Sequence, residues 1–183
     1  MKKNIETILK EINSVLINVD EAQVDELVSD IIKANKIIVC GAGRVGMAIR
    51  GFGMRLSHLG LNAGTLGDSN VPSIGVGDLL IIASGSGETQ TIYDLALIAK
   101  KNKSRIQLIT GNLESRIGKV ADACVLIKAP SKTKPVENFI SIQPMTTLNE
   151  QCLGIFFDAV VLELMNKLNE THETMWKRHS NLE

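Results

Sequence analysis

The sequence predicts an α/β fold, a three-layer sandwich around a five-stranded parallel sheet of flavodoxin-like order 2-1-3-4-5. Two observations predict it. Five short, unbroken apolar runs alternate with helical patterns, as in parallel strands buried on both faces. The runs KIIVC and DLLIIA each end in a glycine-rich turn that enters a helix. Right-handed crossovers leave few strand orders, and 2-1-3-4-5 has its switch point between strands one and three. Those are the strands that carry the two glycine turns, so both line one crevice.

The elements follow in order. Ile5, Ile8, Leu9, Ile12, Val15, Leu16 and Val19 recur at helical spacing and mark a first helix. Asp20 with Gln23 has the form of a capping box, opening a second helix through Val24, Leu27, Val28, Ile31 and Ile32. Residues 36–40 read as strand one, and 44–59 as a helix stopped by Gly60. Strand two covers 61–66 and strand three 78–83. A helix over 89–102 has Lys100 and Lys101 in its last turn, which suits the dipole. Strand four covers 105–110, a short helix 114–121 and strand five 123–128. Pro130, Pro135 and Pro144 make 129–145 a loop, before a long helix over 147–168 and a polar tail.

Composition narrows the function. The chain of 183 residues is read as one domain, with the N-terminal helices (1–34) and the last helix and tail (146–183) in the same unit. Lysine and arginine number 20, as do aspartate and glutamate, so the basic excess that nucleic acid requires is missing. Aromatic residues are 3%, too few for a stacking platform. Glu6 and Glu11 interrupt any signal-like apolar run. The apolar stretch 152–165 contains Asp158 and Glu163 and is too short to span a bilayer, so it reads as a core helix. Cys40, Cys124 and Cys152 lack paired spacing and read as small buried thiols, in keeping with a cytoplasmic location.

The two turns carry the chemistry. A strand, glycine turn and helix N-terminus together bind anions, because N–H groups and the helix dipole converge there. Gly41-Ala42-Gly43-Arg44-Val45-Gly46 also fits the dinucleotide pattern, with Asp68 near the position of a ribose-binding acid. That reading leaves no room for a substrate domain and no use for a second loop. Without a ligand, the same turn serves close helix packing. Ser84-Gly85-Ser86-Gly87-Glu88-Thr89 offers three hydroxyls on a helix N-terminus, suited to a phosphate monoester. An N-cap role explains one hydroxyl but not three.

GAGR, the stretch Met54-Arg55-Leu56-Ser57-His58-Leu59-Gly60, SGSGET, Pro144-Met145-Thr146-Thr147-Leu148-Asn149-Glu150 and the tail RHSNLE together resemble the 6-phospho-3-hexuloisomerase family. That family lies within the sugar isomerase (SIS) domain superfamily, and the resemblance runs in register along nearly the whole chain. It departs at Val45, where family members often carry serine. The resemblance implies isomerisation of a hexulose 6-phosphate to fructose 6-phosphate through a cis-enediol. It places that step after a hexulose-phosphate synthase in ribulose-monophosphate formaldehyde fixation, with no metal and no redox cofactor. It also implies a homotetramer, which the apolar excess on the N-terminal helices and the last helix favours. Other SIS isomerases, acting on arabinose 5-phosphate or sedoheptulose 7-phosphate, and a sensing module are the alternatives.

The expected phosphate site is Gly43, Arg44, Val45, Ser84, Gly85, Ser86, Gly87, Glu88 and Thr89. Glu150 has two readings, a proton-transferring base or the N3 member of a capping box begun by Thr147. The resemblance implies the base, with Asp68 and Glu88 as rival acids. His58 reads as structural. His179 is a candidate proton shuttle, since related isomerases complete their sites with a neighbour's histidine.

Overall fold

The structure, a computed structural model, describes residues 1–130 and 139–182. Its elements are α1 (Lys2–Leu16), α2 (Glu21–Lys33), β1 (Ile37–Gly41), α3 (Gly43–His58), β2 (Ala63–Thr65), β3 (Leu79–Ser84), α4 (Gln90–Lys101), β4 (Arg105–Thr110), β5 (Ala123–Leu126), α5 (Thr147–Leu168) and α6 (His172–Trp176). The five strands form one parallel sheet of order β2-β1-β3-β4-β5, as the sequence predicts.

Alternation along the strands divides the interior in two. Ile37, Val39, Leu79 and Ile81 face one side and pack with residues of α1, α2, α3 and α5. Ile38, Cys40, Leu80 and Ile82 face the other, against Ile92, Ala96 and Ala99 of α4 and Ile117. Helix α5 is the spine of the larger layer. Its Phe157 stacks on Phe52 of α3 at 4.6 Å, with Leu153, Phe156, Val160 and Leu164 also buried. Burial pushes the Cys40 and Cys152 thiols up to about 12, so both stay protonated at neutral pH.

Four expectations change. Residues 114–121 form turns rather than a helix. The Ile117 N–H donates to Gly87 O, and the buried Ser115 hydroxyl accepts from Gly118 N, so the loop takes bonds that a helix would need. Strand β2 is shorter than 61–66, because Leu61 N–H closes the end of α3 by donating to Leu56 O. At α2, Asp20 caps by accepting from Ala22 N, but the Gln23 side-chain Oε1 accepts from Leu126 N and so ties α2 to β5. The tail gains α6, opened by a capping box between Thr171 and Thr174. In the predicted loop 129–145, Pro135 lies outside the described residues, as does Glu183 of the tail motif.

Candidate active site

A cleft of about 430 Å³ opens at the C-terminal ends of β1 and β3. Three helix N-termini meet there. Ala42, Gly43, Arg44 and Val45 come from the start of α3, Ser86, Glu88 and Thr89 from that of α4, and Thr146, Asn149 and Glu150 from that of α5. None of the three N-caps, Ala42, Thr89 and Thr146, makes a side-chain capping bond. Away from the cleft, Asp20 and Thr171 cap α2 and α6. The first turn of a helix always has N–H groups without intrahelical partners, and here three such turns surround one cavity.

The second loop is braced by its own hydroxyls. The Ser84 hydroxyl accepts from Gly87 N at 3.2 Å and the Ser86 hydroxyl from Glu88 N at 3.2 Å. Both oxygens keep their own protons to donate. Gly87 has φ +65°, and a Cβ on it would overlap the Ser115 hydroxyl. Glycine alone fits that position. Gly87 faces Ser115 and does not line the cleft, unlike the other predicted loop residues.

The acids separate by their partners. Glu150 is held at both carboxylate oxygens. The Thr146 hydroxyl donates to Oε1 at 2.8 Å, and Arg44 Nη1 lies 3.1 Å from Oε2. Its side chain is 14% exposed, against 58% for Arg44, so the carboxylate sits inside the cleft and the guanidinium at its rim. The capping box does not form: Thr146 is the N-cap, and Glu150 bonds side chains rather than the helix end. Glu88 is bound by Arg116, whose backbone N and Nε donate at 2.9 and 2.8 Å. Those hydrogen bonds hold its carboxyl below the usual range. Asp68 pairs with Arg50 and lies away from the cleft.

His179 stands elsewhere. It stacks on Trp176 at 5.1 Å and packs against His58 at 5.3 Å. His58 ends α3, whereas the cleft is at the start of that helix, about 22 Å away at 1.5 Å per residue. Its own chain does not bring His179 to the cleft. Thr146 and Asn149 were not among the expected site residues. The signal for Thr146 is its place four residues before Glu150, and for Asn149 an amide inside an apolar helix.

A second cavity, of about 460 Å³, lies between α1, α2 and α5. Its charged members, Glu21, Asp25 and Glu163, are all acidic and repel phosphate. Among the described residues no group of three or more His, Cys, Asp or Glu side chains is arranged to hold a metal ion. No described helix is long and apolar enough to cross a membrane.

Residues 30–153 match the SIS domain. The chain belongs to the SIS domain family. Two relatives of this SIS chain are named 3-hexulose-6-phosphate isomerase. One, from Bacillus subtilis, is 39% identical over 96% of this chain and 95% of its own length. The other, from Mycobacterium gastri, is 38% identical over 98% and 90%. A crystal structure of a hypothetical protein from Methanococcus jannaschii superposes with a TM-score of 0.85 at 32% identity, covering 99% of both chains. That work infers a 3-hexulose-6-phosphate isomerase function for its own protein. The SIS cleft here combines three helix N-termini with an acid held by side chains.

Proposed function

We propose that this chain isomerises 3-hexulose 6-phosphate to fructose 6-phosphate through a cis-enediol. The observation that carries the reading is the meeting of three uncapped helix N-termini around a cleft that contains Glu150. The relatives' shared name supports the same substrate.

In the proposed reaction the phosphate sits on the Ser84–Thr89 loop, receiving hydrogen bonds from hydroxyls and helix N–H groups. The Glu150 carboxylate removes the proton on C2. The C2–C3 double bond forms as the C3 carbonyl becomes the enediol oxygen. The C2 hydroxyl passes its proton to the C3 oxygen, and protonated Glu150 then returns the carbon-bound proton to C3 as the C2 oxygen becomes the carbonyl. Negative charge thus passes from the carboxylate to the substrate oxygens and back. Arg44, beside the carboxylate, faces that charge in either place.

His179 assists from a neighbouring subunit in this proposal, which its position at the far end of α3 and the exposure of Trp176 support. The assembly proposed is a homotetramer, each chain acting as one unit. It works in the cytoplasm, after a hexulose-phosphate synthase in ribulose-monophosphate formaldehyde fixation. The test generates hexulose 6-phosphate in situ from formaldehyde and ribulose 5-phosphate and follows fructose 6-phosphate. Turnover is expected. No turnover there, with turnover of arabinose 5-phosphate or sedoheptulose 7-phosphate, would overturn the substrate assignment.

A further inference from the structure

Asn149 breaks the pattern of its helix. Its neighbours Leu148, Cys152, Leu153 and Phe156 are buried apolar residues, and it is buried equally, with 1% of its surface exposed. Both polar atoms of its carboxamide are enclosed and neither has a hydrogen-bond partner among the described residues. Buried polar groups are nearly always paired, and an unpaired one opposes folding. An apolar side chain of like size would suit the helix better. Such exceptions to a local rule concentrate where ligands bind.

The surroundings say which ligand. Asn149 borders the cleft, next in sequence to Glu150. Its Oδ1 occupies the space beside Gly85, only 2.7 Å from where a Cβ there would stand. The carboxamide therefore lies against the phosphate loop and lines the same cleft as Glu150. A carboxamide presents a donor and an acceptor side by side, whichever way it is turned. An α-hydroxy ketone presents the complementary pair on adjacent carbons, and a phosphate dianion, which only accepts, does not.

We propose that Asn149 is a substrate-binding residue, whose carboxamide takes the adjacent carbonyl and hydroxyl oxygens of the ketose and whose N–H donates to the enediolate. This rests on the isomerase reading above. The torsion that turns the carboxamide is broad, so it meets a ligand oxygen without leaving its rotamer. Binding would supply the partners that the described protein atoms do not.

Asn149→Leu tests it, with inorganic phosphate as a competitive inhibitor alongside the coupled assay. The variant is expected to melt no lower than wild type, because it removes unpaired polar atoms. Its kcat should fall roughly 10²–10³-fold, the usual cost of a lost oxyanion donor. Phosphate inhibition should stay within about twofold of wild type, since the amide does not touch phosphate. A folded variant with kcat/KM near wild type overturns the proposal. So does a parallel loss of phosphate inhibition, which would make Asn149 a support for the Gly85 loop. If the leucine variant fails to fold, Asn149→Ala gives the same two readouts. If the wild-type chain turns over no hexulose 6-phosphate, the isomerase reading fails separately. Thermal shifts with fructose 6-phosphate and inorganic phosphate then decide Asn149: loss of the sugar phosphate's advantage in the variant supports its role, and an unchanged advantage overturns it.

Discussion

At Glu150 the competing readings of base and cap lead to opposite mutational outcomes. Its carboxylate bonds Thr146 and Arg44 and not the helix end, so Glu150→Gln should leave stability almost unchanged. As the base, it should lose about 10²–10⁴-fold in kcat, together with solvent deuterium exchange at C2. A folded variant with near-normal kcat would shift the role to another group. Gly87 makes a different demand. Alanine there requires a left-handed backbone and a Cβ inside the Ser115 hydroxyl. Gly87→Ala should cost about 2 kcal/mol or more in a denaturant titration and raise KM, because the phosphate loop must move. Most of the cleft's lining was legible in the sequence, since the glycines and hydroxyls after strands one and three mark the turns that form its walls. The acids were less so. Glu88 and Asp68 look as available as Glu150 in one dimension, and only folding reveals that the Arg116 backbone and side chain both bind Glu88 and that Asp68 does not line the cleft.

Helices and strands were legible where a single force dominates. The apolar runs of β1, β3 and β4 are buried throughout apart from their ends, and α5 follows its predicted bounds. The turns at 114–121 were not legible, because the Arg116 and Ile117 N–H groups donate to Glu88 and Gly87, far away in sequence. Helix α6 was missed because its capping box uses Thr174 where glutamate or glutamine is the usual sign. The approach to α5 depends on another distant partner. Glu11 of α1 accepts from Ser141 Oγ at 2.7 Å, Ile142 N at 2.9 Å and Gln143 Nε2 at 2.9 Å, clamping the segment that leads to Thr146. Burial pushes its pKa up, but the bonds from Gln143, Ile142 and Ser141 together hold it below the ordinary value. A depressed carboxylate adds stability above its unfolded pKa, about 4.3, and loses it as pH falls through the folded value. Glu11→Gln should therefore destabilise by about 1–3 kcal/mol at pH 7. In denaturant titrations at successive pH values the deficit should shrink only below about pH 4. A deficit that is constant with pH would mean the charge contributes nothing.

The assembly can be tested through the separation of Glu150 from His179 in one chain. If His179 enters a neighbour's cleft, Glu150→Gln and His179→Ala chains should each be inactive alone. Mixed and allowed to exchange, they should regain activity in roughly a quarter of clefts, where an intact glutamate meets a neighbour's intact histidine. No recovery after proven exchange would overturn the action of His179 from a neighbouring subunit. The Glu11 clamp also has a consequence in time. Its partner Ser141 lies 130 residues further along the chain. At about 5–20 residues per second, a ribosome needs roughly 6–26 s to make that stretch. Throughout that interval Ile12 and Val15 of α1 have no α5 to cover them. Helix α1 thus leaves the ribosome long before it is secured, and nascent chains at this stage are the ones a chaperone should hold. A chain interrupted before α5 would carry all five strands and both glycine loops, yet neither the carboxylate nor the helix that completes the cleft.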